Sequence, residues 1–271
     1  MKKPDRPAWR DRLMIGGGGT RGVVAAACYA ARTFGIRSAI PMFQARRRCP
    51  HAVIIPPDRD KYVRVGRGLR RLMQGLTPLI KPLSIDAAFV DLGDAARLHS
   101  LFPAQSFAWF AMRVETAIGS ITVSIGLSTN KYLSKIASDV DRPRGFAVAG
   151  SHEAQRFLAP RPVTFTRASE ARQACLARNG IIIIADLAAT TEAEPKRRYG
   201  AERLRLSRLA RGLDARPVTP ERAAESLLVE VTFEEDIAAS PARTPAVVAA
   251  SKALGSAQGC GPWRLKRHAQ A

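Results

Sequence analysis

Ser84-Ile85-Asp86-Ala87-Ala88-Phe89-Val90-Asp91-Leu92, read with Ile121 to Gly145 (ITVSIGLSTNKYLSKIASDVDRPRG), decides how this chain is understood. The first stretch is a short apolar strand carrying one acidic residue. The second holds a strand, a turn with Ser128, Thr129 and Asn130, a basic helix and a basic loop. Ile80 to Ser84 and Ala87 to Leu92 flank a tight turn and predict a β-hairpin. A lone Asp at a hairpin is ordinarily a turn residue. Leu83, Ile85, Phe89 and Val90 argue instead for a rigid, buried support, which makes Asp86 the candidate metal ligand. On an unbroken strand Asp91 points to the face opposite Asp86.

Outward from the hairpin, helical spacing of Val63, Leu69, Leu72, Met73 and Leu76 predicts a helix from Arg59 to Leu76. Pro103 to Ile118 reads as another helix, Thr122 to Ile125 as a half-buried strand, Asn130 to Val140 as a helix and Gly145 to Ala149 as a strand. Upstream, Leu13-Met14-Ile15 reads as a strand ending in Gly16 to Gly19, Val23 to Ala27 as a second and Val53 to Ile55 as a third. Tyr29 to Thr33 and Met42 to Arg48 read as short helices. Strands and helices mixed in this order predict a sheet domain with flanking helices. From Ser151 onward the pattern is of small helices, and after Ser240 it dissolves into Pro, Ala, Ser and Gly, a composition expected to be disordered.

Lys and Arg number 43 against 23 Asp and Glu, a net charge of +20 spread along the chain. Such a spread suits a surface that tracks a polyanion, with nucleic acid the default partner; a merely solvated basic surface is the plainer alternative. Cys28, Cys49, Cys175 and Cys260 form no CxxC pair, which argues against a structural zinc site. The apolar runs Leu13 to Ile15 and Gly180 to Ala185 are too short for a signal peptide or a membrane span, so the expectation is a soluble cytoplasmic chain with no membrane partner. Gly17-x-Gly19-x-x-Gly22 matches a dinucleotide fingerprint in form only. No acidic residue occurs between Asp11 and Asp58 to hold a ribose, and no Gly-Lys-Ser/Thr follows, so the run reads as a hairpin loop.

Taken together, the hairpin, the Asn130-Lys131-Tyr132-Leu133-Ser134-Lys135 helix, Arg142, and Cys28-Tyr29-Ala30-Ala31-Arg32 resemble the Y-family, translesion-type DNA polymerases of the DNA polymerase IV (DinB) group. The resemblance is dense from Pro4 to Gly150 and looser from Ala185 to Ile237. It implies an α+β right-hand architecture: a mixed-sheet palm with flanking helices, small fingers and a helical thumb, the little finger largely missing. The implied boundaries are fingers 1–58, palm 59–148, thumb and linker 149–222, a little-finger remnant 223–240 and a tail 241–271. By the same resemblance Asp86 is the catalytic metal-holding carboxylate, serving Mg²⁺ in a two-ion nucleotidyl transfer. Tyr29, Arg32 and Arg142 would hold the triphosphate, and Lys131, Lys135, Arg211 and Arg216 would contact DNA backbone. The implied partners are primer-template DNA and deoxynucleoside triphosphates, acting on a monomer. A sliding clamp is a further partner in the family, but Gly261 to Ala271 shows no clamp-binding peptide.

The departures matter as much as the matches. Ala87 stands where the family pattern, Ser-Ile-Asp-Glu-Ala, has a metal-binding Glu. The strand that carries a further Asp and an aromatic gate against ribonucleotides is expected to precede Asp5 and is not seen. Thr164 to Glu170 lacks the Gly-x-Gly of the family's thumb hairpin, and the little finger is expected to stop after about one strand. The reading is therefore a polymerase homologue of DNA repair with catalysis impaired or lost. Its alternatives are a non-catalytic, sequence-independent DNA-binding remnant and a non-functional fragment.

Overall fold

The computed structural model describes residues 9, 12–19, 22–93, 100–119, 121–166, 168–189 and 200–220. Arg21, Arg167, Tyr199, the strand expected within 223–240 and the tail 241–271 lie outside them. Contacts divide the described chain into two compact units that meet in sequence at Asp60 and Lys61.

In the first unit, β1 (Met14–Gly17) pairs antiparallel with β2 (Val24–Ala27) and parallel with β3 (Val53–Ile55). Ile15, Val24, Ala31, Ile36, Met42 and Ala45 are buried as its core, under α1 (Tyr29–Arg32) and α2 (Met42–Arg48). The strand runs further than the glycine run predicted. Gly16 and Gly17 are in the ladder, and only Gly18 and Gly19 turn. A Cβ on Gly17 would strike the end of the Met42 side chain, so glycine there admits the helix rather than loosening a loop.

The second unit opens with α3 (Arg59–Gln74), whose first two residues belong to the first. The hairpin follows: β4 (Ile80–Pro82) pairs with β5 (Ala88–Val90) in the register Ile80↔Val90, Lys81↔Phe89 and Pro82↔Ala88. Helix α4 (Pro103–Ile118) matches its prediction at both ends. Proline is tolerated in its first turn, and the Gln105 side chain accepts from the Phe102 N–H. Leu69, Met73, Leu76, Ile80, Leu92, Phe107, Phe110, Val114 and Ile125 close the core between these elements. Each fully buried side chain of this kind contributes about 1.5–3 kcal/mol.

Next come β6 (Ile125–Ser128), α5 (Lys131–Ala137) and β7 (Phe146–Ala149), a parallel pair joined by a helical crossover. The strand lies three residues later than the alternation over Thr122 to Ile125 predicted. In β6 no residue is fully exposed, so polar and apolar residues do not alternate along it. Ser128, which read as a turn residue, is strand, and Gly126 within it lets the backbone of α5 press directly on β6. Among the described residues β4–β5 and β6–β7 share no ladder, so the mixed sheet expected of the palm is present as separate pairs.

Among the described residues four helices follow: α6 (Ala154–Leu158), α7 (Glu170–Arg178), α8 (Ile184–Ala189) and α9 (Gly200–Ala210), with a 3₁₀ turn at Val163–Thr166. They bury Leu158, Leu176, Ile184, Leu187, Leu206 and Leu209 against Tyr132, Leu133 and Ile136 of α5. Helix α9 ends in a glycine cap: Gly212 has φ +78°, and the Leu213 N–H donates to Arg208 O at 2.9 Å.

Candidate functional site

The hairpin turn is closed by the N–H groups of Leu83 and Ser84, which both donate to Ala87 O, at 2.9 and 3.2 Å. This leaves Asp86 at the tip, exposed, in a bend rather than on a strand. The apolar support foreseen for it is only partial, since Leu83 and Ile85 are 43% and 42% exposed. What steadies the turn is α3: Gly66 abuts the Ile85 carbonyl so closely that a Cβ would collide with it. The Ser84 hydroxyl donates to Asp86 Oδ1 at 2.6 Å, which orients the carboxylate and leaves its second oxygen open. Asp91 turns to its own backbone, Oδ1 accepting the Gly93 N–H at 2.9 Å.

The pair of divalent ions implied by the resemblance needs several carboxylates in reach of one another. Ala87 offers a methyl group, Asp91 is held by Gly93, and among the described residues no group of three His, Cys, Asp or Glu could hold a metal. The described residues therefore do not fit a two-ion centre.

Asn130 and Lys131 begin α5 beside the hairpin. The Asn130 side chain caps the helix, accepting the Leu133 N–H at 3.0 Å, and donates to Gly212 O at 2.8 Å. Lys131, expected to contact DNA, is only 9% exposed. Its ammonium donates to Pro217 O at 2.6 Å and lies 5.9 Å from the Phe89 ring centroid. Burial lowers its pKa, with Lys81 and Arg216 adding to the effect. Lys81 Nζ reaches Thr219 Oγ1 at 3.2 Å, so residues 212–219 are strapped across the hairpin and α5.

Arg216, also expected at DNA, clasps Asp214 through two hydrogen bonds of 2.7 and 2.8 Å. Burial pushes the Asp214 carboxyl up. The hydrogen bonds from Arg216 and the charges of Arg216 and Lys131 outweigh it and hold the group below the usual carboxylate range. Arg211 sits where α9 gives way to this strap, its N–H bonded to Ser207 O and Arg208 O.

At the other end of α5, Lys135 meets both oxygens of Asp139 at 3.0 Å. Arg142 bonds Asp139 at 2.6 Å and donates from Nε to Ser138 O at 2.9 Å. Asp139 therefore gathers both cations, a role visible in its spacing of i+4 from Lys135 and i−3 from Arg142 that sequence reasoning missed. In the first unit, the Arg32 guanidinium lies 4.8 Å from the Tyr29 ring centroid and its Nε donates to Ala27 O at 3.2 Å. Both side chains are exposed on the short helix after Cys28. Asp86 and the Lys131 cluster thus share the hairpin neighbourhood, Lys135 and Arg142 share Asp139, and Tyr29 and Arg32 stack on each other.

Comparison with known proteins agrees with this architecture. Residues 4–139 match the sequence profile of the impB/mucB/samB family. The chain is 52% identical over 239 residues to DNA polymerase IV 1 of Mesorhizobium japonicum, covering 88% of this chain and 54% of the relative. It is 38% identical over 243 residues to DNA polymerase IV of Alkalilimnicola ehrlichii, covering 88% and 67%. Against the first relatives it spans little more than half their length, 54% and 57% for those of M. japonicum and Brucella melitensis. The crystal structure of DinB from Sulfolobus solfataricus superposes with a TM-score of 0.71 at 25% identity, over 80% of this chain and 64% of that one. An insertion ternary complex of Dbh DNA polymerase, at 22% identity and a TM-score of 0.70 over 80% and 65%, shares the fold.

Proposed function

The chain belongs to the impB/mucB/samB family of Y-family polymerases, and from that premise we propose that it is a DinB-like homologue whose template-directed synthesis past damaged bases is impaired. Primer-template DNA and deoxynucleoside triphosphates are the ligands this reading assigns, with Tyr29, Arg32 and Arg142 on the triphosphate and Lys135 and Arg211 toward DNA. Arg142 and Lys135 are both engaged by Asp139, so a phosphate there competes with that carboxylate for them. Lys131 and Arg216 act at one remove, by holding the strap. Residues 59–148 serve as palm and 149–222 as thumb and linker.

The observation that carries the impairment is the turn itself: Asp86 is a single oriented carboxylate with a methyl group, Ala87, beside it. Mg²⁺ would polarise the attacking and leaving oxygens when bound. Asp86 can offer it one open oxygen, which is too little charge to hold a pair of such ions. A second reading, a DNA-binding protein without catalysis, is favoured by the +20 charge alone.

Primer extension on a primed template, comparing the chain with Asp86→Ala and Ala87→Glu, tests the proposal. The expected result is extension near background that Ala87→Glu raises by about tenfold or more, equivalent to roughly 1.4 kcal/mol of barrier. Vigorous extension by the unaltered chain, abolished in Asp86→Ala, overturns the impairment. Background extension in all three, with DNA still bound, leaves the second reading.

A further inference from the structure

Helix α3 carries a charge pattern that the proposed function does not use. Its exposed residues are Arg59, Asp60, Arg64, Arg67, Arg70, Arg71 and Gln74. At 100° per residue, Arg64, Arg67 and Arg71 fall within about 60° of one another and span about 10 Å of helix. Gly66, Leu69 and Met73 lie on the opposite side, toward the hairpin turn and the core. The arginine line therefore faces away from the turn that carries Asp86.

Among the described residues none of the Arg64, Arg67 and Arg71 side chains has an ion-pair or hydrogen-bond partner. Like charges three and four residues apart repel along a helix. The macrodipole accounts for Arg71 in the last turn but not for Arg64 and Arg67 in the middle. Nor is the helix locally favoured, with Gly66 and Gly68 in its interior. Asp60, four residues before Arg64 on the same face, is the one acidic residue of α3 and leaves the charge of Arg67 and Arg71 unmatched along the helix. A line of guanidinium groups so weakly balanced, on a helix held by packing, points to an anion supplied from outside.

The chemistry of the face selects among anions. Guanidinium groups bind phosphate oxygens in bidentate fashion. No large apolar side chain is exposed on α3, whereas the centre of a protein interface wants buried aromatic or aliphatic anchors. We propose that Arg64, Arg67 and Arg71 form a second, sequence-independent contact surface for the sugar-phosphate backbone of duplex DNA, on the side of the unit turned away from Asp86. This goes beyond the proposed function: duplex held there is not the primer terminus, and it tethers the protein to DNA without entering the reaction.

The test is binding of a labelled random-sequence duplex to the full chain across a salt series, beside Arg64→Gln/Arg67→Gln/Arg71→Gln and the matching triple Lys variant. Each phosphate contact adds about 0.9 to the slope of log K against log salt. The triple Gln variant is expected to lose about 2 to 3 from that slope and to bind at least tenfold more weakly near 0.1 M salt, while the Lys variant keeps most of the slope. Gln has helix propensity close to that of Arg and the sites are exposed, so circular dichroism should be unchanged. An unchanged slope in the Gln variant, with the unaltered chain binding duplex, overturns this surface and leaves the proposed function standing. No duplex binding by the unaltered chain even at low salt overturns both. Binding of poly-glutamate in preference to duplex, lost in the Gln variant, assigns the face to an acidic protein and overturns the proposal.

Discussion

Lys131 and Lys135 stand four residues apart on one basic helix and look alike in the sequence, yet their surroundings separate them. Lys135 keeps its head in water beside Asp139, while Lys131 is buried with its ammonium on Pro217 O. Removing the side chain in Lys131→Ala takes away both the packed four-carbon stem and a charged hydrogen bond to Pro217 O. Relief of the desolvation that lowers its pKa offsets only part of this. The expected loss is about 2 kcal/mol in chemical denaturation, with no change in the salt slope of DNA binding. A slope lowered by about 0.9 with stability intact would return Lys131 to the phosphate contacts. Burial was not legible at this position because its cause is Pro217, more than eighty residues away, and no local pattern encodes that partner.

Elements were legible where local signals agree and illegible where the neighbour decides. Helix α4 could be read to the residue because Pro103 opens it and its apolar positions recur at helical spacing. The Asp86 hairpin could be located from its apolar flanks, but not its exposed tip, since the turn geometry follows from two N–H groups converging on Ala87 O. Strand β6 was misplaced because Ser128 beside Thr129 and Asn130 imitates a turn and the alternation stops at Ile125, and only the crossover helix shows that a strand runs on through Gly126. Gly126→Ala tests that account. Its Cβ would meet the Ser134 carbonyl and the Ser138 N–H, both backbone groups that cannot swing aside. Overpacking of this kind costs about 1–3 kcal/mol, and it should appear as a lower denaturation midpoint. Gly150→Ala, where a Cβ meets nothing within 4 Å, is the matched control and should change stability by less than about 0.5 kcal/mol. Equal effects at the two positions would remove the close approach of α5 as the reason for glycine.

At the scale of the whole molecule, charge sets how the fold responds to its medium. A net charge of +20 repels itself, and acid makes this worse, because protonated carboxylates leave 43 Lys and Arg and 4 His unopposed. The folded-state shifts act in the same direction. Asp214 is held low by Arg216 and Lys131 against its burial, and Asp186 is held low by the N–H groups of Ile183 and Ile182 that it caps. A carboxylate with a depressed folded pKa contributes stability that is complete above its unfolded value and is lost as pH falls through the folded one. The lowered Lys131 has the same sense in a far more alkaline range: the unfolded chain binds its proton more tightly, so stability rises as pH climbs from the lowered folded value to the unfolded one. Melting temperature should therefore fall steadily once pH drops below about 4, the unfolded carboxylate range. Salt discriminates between the two causes. Near 0.1 M the screening length is about 10 Å, so added salt relieves long-range repulsion among exposed arginines but acts less on Asp214, whose side chain is 3% exposed. If repulsion dominates, 0.3 M salt raises the melting temperature at pH 7 and recovers much of the loss at pH 3. A melting temperature that salt leaves unchanged at pH 3 would place the acid sensitivity in the paired carboxylates that hold the 212–219 strap instead.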